Sequence, residues 1–428
     1  MLLTMLAVAV ALFMFPVLDS PALLESESRI LQALSDGGPG PLSGIFTGQD
    51  DLLTACYTRI VALLYGLFPT LSPAFLVRLP GAVAVFAMTL SLFSFGGVYE
   101  GLGAAFFSSL LFLSCAIVLT SAFFATPCII PAALLVLAMM SLYHWLSKPS
   151  RRYFWLLVGT SALAMTIIGA TALVAMVLMS TVFIVSSRGE WWRRYLVMLL
   201  ALALSAGVAY LAVYTLTGDA DVAMVVFKMS HQLDEGTVLG INNMAAVLLV
   251  FTLVGLFPWS LPLVASIPWI ARNPKWLVAR FRDLELLRRY GIIVFLFSLP
   301  SMLFNTQLAY ILIITAIFFN MPLIGRFLMA QMSHHPAVWR LMGAICTAAV
   351  GLLTVAFAMG LSGIGLGIEK LATSGSWTLW SGALTFLIFS SIYWMWRNVR
   401  SMGVNNRFMY SLIMLYLFFI ALLVGYVL

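Results

Sequence analysis

The sequence predicts an all-α protein that crosses a membrane about thirteen times. Three observations carry this. The 428 residues are 63% hydrophobic and only 9% charged, where a soluble domain carries about 25% charge. Apolar runs of roughly 18 residues recur along the chain, each long enough to cross a bilayer as a helix. Basic residues crowd into five connecting segments on one side of this layout, the mark of a polytopic membrane protein.

The runs fall at 2–18, 79–96, 103–121, 125–146, 154–170, 171–187, 195–216, 244–270, 290–305, 307–325, 341–361, 376–395 and 408–427. The first, from Leu2 to Leu18, lacks a basic leader and a small-residue cleavage site. It reads as a retained helix and not as a cleaved signal peptide. With the N-terminus in the cytoplasm, the inner loops are 148–152, 186–194, 271–289, 326–340 and 397–407, and they hold most of the 22 Lys and Arg residues. The outer segments hold only Arg29, Arg59, Arg78, Lys228 and Lys370, with most of the 15 acids. The formal charge of +7 is therefore an orientation signal, and no nucleic acid partner is implied.

The four cysteines, Cys56, Cys115, Cys128 and Cys346, are scattered, so neither a disulfide framework nor a zinc site is indicated. His144, His334 and His335 fall at inner interfaces or loops. The reading is one transmembrane domain over 1–428, with outer loops at 19–78 and 217–243 and no C-terminal soluble domain. Chemistry must come from those two loops laid over the helices.

In the first loop, Ser20-Pro21 opens ALLESESRILQALSDGG, with the serine placed to cap, the proline at the first helical position and a glycine pair at the end. On a helical wheel Leu23, Leu24, Ile30, Leu31 and Leu34 form one stripe with Glu27 in its middle. Glu25 and Arg29, at i and i+4, lie on the other side. This is an amphipathic surface helix that turns one carboxylate into its own apolar face. Such a carboxylate is costly unless paired or neutralised. Glu27 is therefore a general base with a raised pKa, the partner of a structural arginine such as Arg78, or a cap on a helix end. Asp50 and Asp51 follow; they either meet substrate or metal or complement the dipole of the next helix. Tyr57 and Arg59 sit in the turns after them.

The second loop holds Asp219-Ala-Asp221, two carboxylates spaced to share a divalent cation, Mg or Mn, and alternatively two acids in a solvated loop. Lys228 and His231, at i and i+3, can meet one phosphate together. No cofactor other than that metal is suggested.

The pattern resembles the GT-C membrane glycosyltransferases, among them bacterial lipid A aminoarabinose transferases and protein O-mannosyltransferases. Ser26-Glu27-Ser28-Arg29 stands where that family has D-E-x-R-Y, and Asp51-Leu52-Leu53 with Tyr57 stands where it has E-K-P-x-x-x-Y-W. Arg78-Leu79-Pro80 matches its R-L-P. LVGLFPWSLPL (253–263) resembles its G-L-L-P-W-S segment, and LPSMLFNTQLAYILI (299–313) its S-x-x-K-L-P-x-Y-L-L segment, which carries Tyr310 over. Departures are Ser26 for the family's first acid, Leu52 for its phosphate-associated lysine, and Cys128 for an acid near the fourth span.

The resemblance implies a bundle in a bacterial inner membrane, its active face periplasmic. It implies transfer of a sugar from a polyprenyl-phosphate carrier to a lipid or glycan acceptor with inversion. Glu25 and Glu27 are then the candidate catalytic acids. Arg29, Asp50, Asp51, Tyr57, Arg78, Lys228, His231 and Tyr310 are the candidate substrate and phosphate contacts. The departures favour a second reading, a catalytically silent relative serving as scaffold or subunit beside an active transferase. A third, a transporter or flippase for a lipid-linked sugar, would need ionisable residues along a mid-membrane path, and the span interiors are nearly free of charge.

Overall fold

The computed structural model describes residues 27–28, 30–32, 52–99, 101–186, 191–218, 220–224, 289, 291–294, 296 and 306–334. These form helices and the short links between them, with no strand among the described residues. The elements are α1 (Leu52–Leu67), α2 (Pro73–Tyr99), α3 (Leu102–Leu113), α4 (Ala116–Phe123), α5 (Ile129–Ser147), α6 (Arg151–Ile168), α7 (Ala170–Ser186), α8 (Trp191–Thr217), α9 (Ala220–Ala223) and α10 (Thr306–His334). A short helical stretch at 27–28 and 30–32 precedes them, where the surface helix is expected.

The spans predicted at 125–146, 154–170, 171–187 and 195–216 appear as α5, α6, α7 and α8. Local chemistry sets their ends. Ser150 caps α6 by accepting from the Tyr153 N–H at 3.3 Å. Gly169, at φ 67°, closes α6 so that α7 begins at the next residue.

Three elements differ from the sequence reading. α2 begins at Pro73, not at Leu79, because Ser72 caps it, its Oγ accepting from the Phe75 N–H at 3.3 Å, and Pro73 sits in the first turn. Arg78-Leu79-Pro80 is thus inside the helix. The span expected at 103–121 is broken into α3 and α4 at Ser114–Cys115. There the Ser114 hydroxyl and Cys115 thiol both donate to the Leu111 carbonyl, at 2.9 and 3.3 Å. α10 runs on to His334 through a segment expected to be loop.

α2, α5 and α8 contain segments long and apolar enough to cross a membrane, and the chain is membrane-embedded. α2 packs against α3, α4 and α5, α6 lies between α5 and α8, and α10 closes on α3 and α5. The core runs through Phe95, Phe112, Phe318 and Phe319. Buried hydroxyls in these apolar helices return to their own backbone: Thr89, Ser109, Ser141, Ser205 and Thr315 each donate to the carbonyl four residues back. Leu196, Leu200, Leu204, Val208 and Leu211 form an exposed stripe along α8, suited to lipid.

α2 fixes the direction of the bundle. Arg78 near its start and Tyr99 at its end are roughly 30 Å apart at helical rise, about a bilayer's hydrocarbon thickness. The Tyr99 hydroxyl meets His144 Nδ1 at 2.8 Å, which brings the end of α5 to the same level.

Candidate functional site

At the Arg78 end, the sequence left the role of Glu27 open, and in the structure it is the partner of Arg78. Arg78 Nε donates to Glu27 Oε1 and Arg78 Nη2 to Oε2, both at 2.8 Å. The Ala125 N–H adds a third bond to Oε1 at 3.1 Å. Both side chains are fully buried, at 0% exposure. The arginine fork matches both carboxylate oxygens, which a lysine could not do. The pair therefore ties three elements together: the first surface helix, the second turn of α2, and the link between α4 and α5.

The surrounding residues explain why R-L-P-G stands here. Pro80, two residues after Arg78, has no N–H to give the Leu76 carbonyl, so the helix ladder is interrupted there. The Val77 carbonyl accepts from the Tyr57 hydroxyl at 2.8 Å, which pins α1 to α2. A Cβ on Gly81 would lie 2.8 Å from the Ser121 backbone oxygen and 3.6 Å from Tyr57 Oη, so α2 and α4 touch backbone to backbone there. Ile30, Tyr57, Val61, Val77 and Ala125 form a small apolar cluster around the pair. Burial pushes the Tyr57 phenol well above its ordinary value of 10.0, and the charge of Glu27 adds to this against a bond from the Gly81 backbone.

Tyr310, near the start of α10, also reaches α4. Its hydroxyl bonds the Ser121 hydroxyl and donates to the Ile117 carbonyl at 3.3 Å. Ser121 is thus shared ground: its side chain meets Tyr310 and its backbone meets Gly81 beside Tyr57.

Of the residues singled out in the sequence, the structure gathers Glu27, Arg78 and Tyr57 in one cluster and joins Tyr310 to it through α4. Asp221 lies in α9, just after α8. Glu25, Arg29, Asp50, Asp51, Asp219, Lys228 and His231 lie outside the described residues. Among the described residues there is no group of three or more His, Cys, Asp or Glu able to hold a metal. Sequence reasoning missed the Ala125 N–H, Ser121 and Gly81. Only Gly81 left a signal, as the glycine directly after Arg78-Leu79-Pro80.

This architecture is shared with two solved structures of ArnT. The chain superposes on ArnT from Cupriavidus metallidurans in the apo state with a TM-score of 0.62 and 17% identity, covering 99% of this chain and 76% of that one. On the same protein bound to undecaprenyl phosphate the TM-score is 0.59 and the identity 15%, with the same coverage. No family model and no curated protein matches the sequence. At such identities the likeness is one of fold.

Proposed function

We propose that this protein is a GT-C-type glycosyltransferase that moves a sugar from a polyprenyl-phosphate donor to a lipid or glycan acceptor at the periplasmic face of a bacterial inner membrane. The observation that supports it most is the shared fold with ArnT, one of whose structures holds undecaprenyl phosphate. The setting agrees: an acid-bearing surface helix is locked onto the bundle at one end of α2.

In this reading the acceptor hydroxyl oxygen attacks the anomeric carbon of the donor. The bond from that carbon to the phosphate oxygen breaks, configuration inverts, and polyprenyl phosphate leaves. The acceptor proton passes to a carboxylate. Glu27 already accepts hydrogen bonds from the Arg78 guanidinium and the Ala125 N–H and is a positioning residue. Glu25, two residues earlier and on the opposite side of the wheel, is then the candidate base. Arg29, Lys228 and His231 are the candidate groups for the leaving phosphate, with Asp50, Asp51 and Tyr310 as further substrate contacts. Asp219 and Asp221 are the candidate ligands for Mg or Mn, which would neutralise phosphate charge.

The alternative is a silent relative acting as a scaffold, favoured by Ser26 and Leu52 in place of the family's acid and lysine. A binding experiment addresses the donor first. The purified protein, titrated with undecaprenyl phosphate in detergent, should bind it in preference to undecaprenol. Equal affinity for the two would remove the phosphate-recognition part of this reading.

A further inference from the structure

The opposite end of the bundle carries a second concentration of charge that the proposed reaction does not use. Lys148 follows α5, Arg151 and Arg152 open α6, and Arg193 and Arg194 lie in the first turn of α8. All five are exposed. They are far apart in sequence but meet in space, because Arg194 Nη1 donates to the Leu146 carbonyl in the last turn of α5, at 3.4 Å. His144 stacks on Tyr153, centroids 5.2 Å apart at 11°, and braces the same junction from the α6 side.

α6 and α8 pack together and both begin at this end, so the positive ends of two helix dipoles add to the side-chain charge. The acids among the described residues are Glu27 and Asp221, and both belong to the far end. Glu100 and Glu190 lie outside the described residues.

The apolar side chains beside the arginines decide what kind of anion fits. One turn into α6 come Trp155 and Leu156, exposed at 64% and 47%. Trp192, 54% exposed, carries the Arg193 guanidinium 5.9 Å from its ring centroid, and Leu196, 53% exposed, follows. A free anion would use only the cations. A molecule with an anionic head and hydrocarbon chains uses both layers at their observed heights. We infer that the α5–α6–α8 corner is a binding site for the phosphate headgroup of an anionic phospholipid. The basic residues that orient the chain thus also select the lipid that seats this face.

Native mass spectrometry of the purified full chain tests this, with cardiolipin, phosphatidylglycerol and phosphatidylethanolamine added at equal concentration. The wild type should retain the two anionic lipids over phosphatidylethanolamine by about tenfold. Arg151→Gln/Arg152→Gln, and separately Arg193→Gln, should each reduce that preference several-fold. Arg59→Gln, at the other end of the bundle, should leave it unchanged. Inorganic phosphate at millimolar concentration should not displace the lipid. Equal retention of all three lipids by the wild type would overturn the inference. So would an unchanged preference in both corner variants, and displacement by phosphate would show a free-anion site in its place.

Discussion

Glu27 and Arg78, separated by 51 positions in the chain, close a two-pronged ion pair from which water is excluded. Removing one partner leaves the other charged and buried, which costs about 3–5 kcal/mol. Arg78→Ala and Glu27→Ala should each lower the thermal unfolding midpoint in detergent by several degrees. Glu27→Leu/Arg78→Met, which removes both charges and keeps the volume, should recover most of the loss. A double variant as unstable as the sum of the singles would show that the two side chains do not act as a pair.

Gly81 sets the distance between α2 and α4. Gly81→Ala forces a methyl to within 2.8 Å of the Ser121 carbonyl oxygen, an overpacking of about 1–3 kcal/mol. Gly66→Ala, where a Cβ meets nothing within 4 Å, should be neutral or slightly stabilising. Unfolding midpoints of the two variants, measured side by side, check this contrast.

Tyr57 gives a dependence on pH. Its phenol is held protonated by burial, above its ordinary 10.0. The unfolded chain releases that proton near the ordinary value while the folded chain keeps it. The Tyr57 contribution is therefore fully present below about pH 10 and is lost as pH rises further. Tyr57→Phe keeps the ring and loses the bond to the Val77 carbonyl, at about 0.5–1.5 kcal/mol near neutral pH. The gap between wild type and variant should narrow above pH 10. A gap that stays constant through alkaline pH would contradict the assignment.

Much of this fold was legible because a bilayer imposes it: an apolar run must be a helix, and charged loops mark its ends. Hence α5 and α8 appear close to where the apolar runs place them. The break at Ser114–Cys115 was not legible, since the run has neither proline nor glycine there and the interruption is made by side chains returning to Leu111. For the site, the cost of a carboxylate in an apolar stripe already named Arg78 as one partner for Glu27. The Ala125 N–H and the backbone contact at Gly81 depend on where the α4–α5 link folds back. No local pattern encodes that.

Transfer of a sugar with Glu25 as the base has a direct cellular readout. The direct measurement is mass spectrometry of envelope glycans and lipids from three strains: a deletion, the deletion carrying wild type, and the deletion carrying Glu25→Gln at matched protein level. A sugar-sized mass should disappear on deletion, return with wild type and stay absent with Glu25→Gln. Full restoration by Glu25→Gln would contradict it and leave the protein a scaffold for a transferase elsewhere.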